Sequence, residues 1–281
     1  MMRLAALVVL SLAPAAAAAE EPPREALAEA DRAYRAAAAE TGESRTALYR
    51  EAARRYALIA ARVESGRALF NLGNARYRSG ELGRAIAAYR RAEVCLPRHA
   101  ATRRNLQLAR ERAPGGGPGP QPHPAAAAFF FWHYALSLAE MEAAAAAFYL
   151  ALMGVLSVRL FVDGRTGPAR LWRARLRTAA IVLGALVFCA AMSSAAKLAS
   201  RSRDEAVVVA GEARVRSEPA GRAVDLFPVR EGAEVRILGR SGDWTRIEAG
   251  RDRRGWIETR ALEVLSDPPH VGDEAAAGPA A

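Results

Sequence analysis

The side chains best equipped for chemistry in this 281-residue chain are four histidines, His99, His123, His133 and His270, and two cysteines, Cys95 and Cys189. A zinc site needs such ligands close together in space, and a nucleophile needs a base within reach. Here they fall in separate segments. His99 precedes a helical stretch, His123 lies among prolines and glycines, His133 sits in an aromatic run, and His270 belongs to the C-terminal tail. The glycines from Gly115 to Gly119 lack the lysine and following helix that let a phosphate loop work. No paired acids, histidines or cysteines lie beside the apolar segments. The sequence predicts no catalytic residue, no metal site and no cofactor, and so no enzyme.

The elements that would carry any other activity are legible. The net charge of +10 suggests nucleic acid at first. The distribution argues against it. The basic side chains are almost all arginine, Lys197 is the sole lysine, and they are spread through every polar segment instead of one surface element.

Met1-Met2-Arg3, an apolar core from Leu4 to Ala13 and small residues ending at Ala19 read as a cleaved signal peptide over residues 1–19. Thr178 to Ala196 carries no charge over about 19 residues, close to the ~20 that cross a bilayer. Ala143 to Val158 is also uncharged, and reaches spanning length at Val162 with Arg159 snorkelling to the headgroups. The two expected spans are residues 143–162 and 178–197. Residues 129–142, opening Phe129-Phe130-Phe131-Trp132-His133-Tyr134, suit a membrane interface. The loop between the spans, 163–177, holds Arg165, Arg170, Arg173, Arg175 and Arg177 against one acid. Short arginine-rich loops stay in the cytoplasm. The expected topology is an inner-membrane hairpin with both flanking domains in the periplasm.

Residues 20–112 carry a repeat. In Gly66 to Pro97, Leu72-Gly73 precede Tyr77, Gly80 marks a turn, Ala85, Tyr89 and Ala92 follow, and Pro97 ends the unit. This resembles a tetratricopeptide repeat of ~34 residues. Gly73, Ala85 and Ala92 are small where two antiparallel helices meet. Arg76 departs from the pattern, which often has an aromatic there. Ala26 to Ala39 and Thr46 to Val63 read as a degenerate first repeat, and Ala100 to Arg112 as a capping helix. The resemblance implies that first helices line a peptide-binding groove. Carried onto this unit, the groove residues are Arg67, Phe70, Asn74, Tyr77 and Arg78. The other reading is a solvated face that serves solubility. Residues 113–128, rich in proline and glycine at their start, are expected to form a mobile tether.

After Lys197 the period shortens. Ala206–Val209, Ala213–Val215, Glu234–Leu238, Trp244–Ile247 and Gly255–Ile257 are short and β-prone, with turn residues between them. A domain of ~60 residues built this way is expected to be a small barrel. The stretch 206–265 resembles the bacterial SH3 family, with Gly232, Trp244, Gly255-Trp256 and Leu262 at that family's positions. Trp244 and Trp256 are either ligand-binding or core aromatics. The core reading is favoured, because so small a barrel has few large residues. The tail, 266–281, is expected to be disordered.

The fold class expected is therefore multi-domain: an all-α tetratricopeptide-repeat domain, a two-helix transmembrane hairpin and a small all-β SH3-like barrel. This order of parts, with the NLGNA motif at Asn71–Ala75, FWH at Phe131–His133 and GDW at Gly242–Trp244, resembles the BatE-like proteins of the Bat aerotolerance group. The resemblance implies a non-catalytic periplasmic scaffold that partners membrane-bound von Willebrand factor A-domain proteins and other Bat-group proteins. The rival reading is a wall-binding protein whose SH3 domain holds peptidoglycan while its repeats recruit an envelope enzyme.

Overall fold

A computed structural model describes residues 24–63, 65–117, 124–161, 167–201, 205–219, 223–250 and 253–269. The expected signal peptide and most of the expected tail lie outside these residues. The chain divides into two compact units. Residues 139–194 belong to one, and residues 21–138 and 195–281 to the other.

The larger unit opens with five helices: α1 (Arg24–Ala39), α2 (Gly42–Arg62), α3 (Gly66–Ser79), α4 (Leu82–Cys95) and α5 (Ala100–Arg112). Each packs on the next through alanines and a few large side chains. Tyr56, Leu69, Leu72, Ile86 and Tyr89 are fully buried among Ala52, Ala68, Ala75, Ala88 and Ala92. The α3–α4 turn has clear local causes. The Ser65 hydroxyl accepts the Ala68 N–H at the start of α3. At its end Gly80 adopts φ 86°, a left-handed conformation that glycine takes without penalty, and its N–H reaches the carbonyls of Arg76 and Tyr77. Gly73 lies flat against Tyr89; a Cβ there would stand 2.5 Å from the ring. The α1–α2 connection is shorter than the expected Glu40–Ser44, because α2 already begins at Gly42.

The other part of this unit is a seven-stranded antiparallel sheet: β1 (Glu205–Val208), β2 (Glu212–Arg216), β3 (Asp225–Arg230), β4 (Glu234–Ser241), β5 (Trp244–Ala249), β6 (Arg253–Glu258) and β7 (Leu262–Val264). The order is β3-β2-β6-β5-β4-β1-β7. This corrects the expected closed barrel. Among the described residues β3 and β7 are edges, and no pairing joins them. The alternation in the sequence does not mark β3 and β7 as strands. β3 contains Pro228, which has no N–H to give a ladder, and it runs at an edge where none is required on its open side. The sheet's core is Val208, Val215, Val229, Val235, Ile237, Ile247, Ile257, Leu262 and Val264.

Helices and sheet share a core. Val207 is buried with Ala85, Ile86, Tyr89 and Leu106. Around that contact lies a set of ion pairs. Glu263, buried on β7, meets Arg76 at 3.0 Å and Arg91 at 3.5 Å. Arg90 reaches Glu205 at 2.9 Å and Glu234 at 3.1 Å, and Arg110 reaches Glu234 at 2.6 Å. The Arg91 guanidinium also donates to the carbonyls of Val264, Leu265 and Asp267 at 2.6, 3.2 and 2.6 Å. Helix α4 thereby covers the β7 edge, which would otherwise expose unpaired backbone groups.

The expected free tether is fixed at its start. Ala113 is buried, and the Gly115 N–H donates to the Glu231 carbonyl at 2.8 Å. Farther on, the end of the expected tether is helical, α6 (Pro124–Phe129), and the aromatic segment holds a second short helix, α7 (Phe131–Ala135).

Two further helices, α8 (Leu138–Phe161) and α9 (Gly167–Arg201), are long and apolar enough to cross a membrane, judged by length and composition. Both exceed the expected spans. The arginine-rich stretch expected to be a loop is helical from Gly167. Pro168 sits in the first turn, where proline is tolerated, and the Ala, Arg and Leu that follow are good helix formers.

Candidate functional site

Helices α1, α3 and α5 present a polar seam whose side chains hold one another in place. On α1, the Asp31 carboxylate accepts hydrogen bonds from the Tyr56 hydroxyl and from Asn71 Nδ2, the latter at 3.4 Å. Asp31, Tyr34, Arg35, Tyr56 and Asn71 line a cavity of about 260 Å³. One turn along α3, Asn74 Oδ1 accepts from the Tyr89 hydroxyl and from Asn105 Nδ2, both at 2.8 Å. That double use orients the Asn74 amide. Its Nδ2 makes no hydrogen bond to a described residue, and Asn74 as a whole is half-buried.

Electrostatics keep the tyrosines neutral. Burial pushes Tyr56 upward and the neighbouring Asp31 carboxylate adds to it. Burial also raises Tyr89. Tyr34 is raised by burial and by Tyr49, partly opposed by the positive charge of Arg78. All three therefore stay protonated donors at ordinary pH. With Asp31 tied up by two donors, the exposed Arg35 and Arg78 leave this seam with a surplus of positive charge.

The five residues assigned to the groove by sequence do not all face it. Asn74 and Arg78 lie on the seam. Arg67 is exposed one helical stretch earlier on α3. Phe70 packs edge-on to His99 at 4.9 Å and tilted to Tyr89 at 6.2 Å. Tyr77 lies under the Arg112 guanidinium at 5.6 Å. Both rings are half-buried and bind α3 to its neighbours. Sequence reasoning missed Asp31, Tyr34, Arg35 and Asn71 as site residues. A signal existed: Asn71, Asn74 and Arg78 recur at i, i+3 and i+7, one helix face.

On the sheet, alternation decides the tryptophans. Thr245, Ile247 and Ala249 of β5 and Gly255 and Ile257 of β6 point inward and are buried. Trp244 and Trp256 therefore lie on the opposite face, half-buried, which corrects the favoured core reading. The core has aliphatic side chains enough to fill it without them. Arg216 lies 5.4 Å over the Trp244 ring and pairs across the strands with Trp256.

The chemically capable side chains stay apart. Among the described residues no group of three His, Cys, Asp or Glu could hold a metal ion. Cys95 and Cys189 are free thiols in different units. His99 Nδ1 pairs with the Thr102 hydroxyl at 2.7 Å, and His133 is held below its ordinary pKa by burial and by Lys197. His123 and His270 lie outside the described residues. No family model matches the chain, and no curated protein or solved structure matches it either.

Proposed function

We propose that this chain is a non-catalytic, membrane-anchored scaffold that grips a peptide segment of a partner along the α1–α3–α5 seam. In this reading the helices are tetratricopeptide-type repeats and the sheet is an SH3-like domain. The single observation that carries it is the half-buried Asn74 amide, whose oxygen is held by Tyr89 and Asn105 so that the direction of its N–H₂ is fixed. A donor fixed in advance costs little entropy to use. It stands beside Arg35 and Arg78, which favour an acidic segment.

The docked body also supports a two-span anchor. The helices precede α8 and the sheet follows α9, yet both parts share one core. An even number of crossings between them satisfies that contact; an odd number does not. The arginines between the spans favour the cytoplasm for the turn, and hence the periplasm for the body. Following the resemblance, the partners are von Willebrand factor A-domain proteins and other members of the Bat aerotolerance group, and the role is in aerotolerance or envelope stress. Anchoring both partners in one bilayer raises their effective concentration, so a weak interface suffices.

The test is Arg35→Ala with Arg78→Ala in the full-length protein. Co-purification of the von Willebrand-domain partner should fall several-fold while abundance and membrane insertion hold. Unchanged recovery would defeat the groove assignment.

A second reading has its own observation: the outward pair Trp244 and Trp256 around Arg216 suits a wall fragment. Retention of the protein on purified sacculi, lost in Trp244→Ala, would favour that module instead.

A further inference from the structure

Helix α9 is much longer than a membrane requires, and the excess is basic. Its 35 residues extend roughly 52 Å at about 1.5 Å per residue. The hydrocarbon layer is only ~30 Å thick. The uncharged stretch from Thr178 to Ala196 fills that layer, with Lys197 marking its far end. The helix from Arg170 to Arg177 therefore projects about 12 Å beyond it, through a headgroup zone roughly 5–8 Å deep.

The side chains on this projection are unusual. Arg170, Arg173, Arg175 and Arg177 are all exposed, and none has an acidic partner among the described residues. Elsewhere in the chain arginines commonly meet a carboxylate, as Arg55 does with Glu51 and Arg214 with Asp225. Arg170, Arg173 and Arg177 recur at i, i+3 and i+7, so they form one face. Trp172 is on another side of the helix, with the Arg175 guanidinium 5.9 Å from its ring centre. Tryptophan prefers the headgroup level, and its position sets the depth at which the arginines ride.

We propose that the first turns of α9 form a binding site for anionic phospholipid headgroups, with the Arg170–Arg173–Arg177 face holding lipid phosphates and Trp172 seated at the interface. The ligand class follows from charge and depth. Guanidinium groups pair phosphate oxygens bidentately, and at this depth the abundant phosphates are those of lipids. The inference rests on the two-span reading. It goes beyond topology: the arginines select lipids as well as orienting the hairpin.

The full-length protein, reconstituted into vesicles, should be challenged with spin-labelled phosphatidylglycerol and phosphatidylcholine and the relative association read by electron spin resonance. Each basic residue near an anionic surface contributes about fivefold in affinity. Wild type should prefer the anionic lipid by at least about fivefold, less so in high salt. The variant R170Q/R173Q/R177Q should approach equal association, while R170K/R173K/R177K keeps most of the preference. Equal preference in wild type and the glutamine variant would overturn the proposal while leaving the spans intact, provided the protein floats with the vesicles. Failure of wild type to float would sink the two-span reading, and this site with it.

Discussion

Arg76 of α3 and Glu263 of β7 are 187 residues apart in sequence and 3.0 Å apart in the fold, both shielded from water. Arg91 approaches the same carboxylate at 3.5 Å. Two buried guanidinium groups thus share one acid that lies beyond both long apolar helices in the chain.

Removing that acid should be costly. Glu263→Gln takes from the buried Arg76 and Arg91 the carboxylate they share, and breaking such a pair costs about 3–5 kcal/mol. Urea unfolding of the purified full-length protein should show the loss. The double change Arg76→Met with Glu263→Leu should recover part of it, since apolar replacements avoid the desolvation penalty. If Glu263→Gln unfolds like wild type, the helices and sheet are not held by this cluster.

Gly73 gives a test in which two effects oppose each other. Helix propensity alone would make Gly73→Ala stabilising by up to about 1 kcal/mol. The contact with Tyr89, 2.5 Å from the added Cβ, should prevail. The expected result is a loss of roughly 1–3 kcal/mol by overpacking. A more stable Gly73→Ala would show that α3 and α4 are not so closely packed.

Alkaline pH should loosen the helical body. Tyr56 and Tyr89 are held above their ordinary value of 10.0. Below pH 10 the tyrosines are protonated in both folded and unfolded chains, and their contribution is complete. As pH rises past 10 the unfolded chain releases protons that the folded one retains, so stability falls. Unfolding midpoints measured from pH 8 to 11 should drop on the alkaline side. Tyr56→Phe and Tyr89→Phe should each flatten that drop, and an unchanged slope would contradict the buried, neutral phenols.

The topology is open to labelling. In a background lacking Cys95 and Cys189, single cysteines at the exposed Ser44 and Ser241 should react with an impermeant thiol reagent in intact spheroplasts. One at Thr166 should react only after lysis. Reaction of Thr166 from outside would reverse the orientation.

Much of this protein is readable from local sequence. The α3–α4 unit follows from Gly80 at a left-handed cap, Gly73 and the alanines at the helix contact, and Pro97 after the last turn. The long apolar runs declare two helices of spanning length, because hydrophobicity and length are properties of the stretch itself. Strands with clean alternation, such as β5, are legible for the same reason. What local pattern did not reveal depends on partners distant in the chain. β3, with its proline, becomes a strand only because β2 lies beside it, and the sheet stays open where a barrel was expected. Arg76 looks like a departure from a repeat pattern until Glu263 arrives to pair it. Trp244 and Trp256 look like core residues until the strand register turns them outward. Asp31 and Asn71 become one site only when α1 and α3 pack together. Residue type and spacing determined the helices, the cleanly alternating strands, and the length and apolarity of α8 and α9. Tertiary structure alone decided that helices and sheet are one body, because an ion pair's energy depends on distance and burial, which sequence separation does not encode.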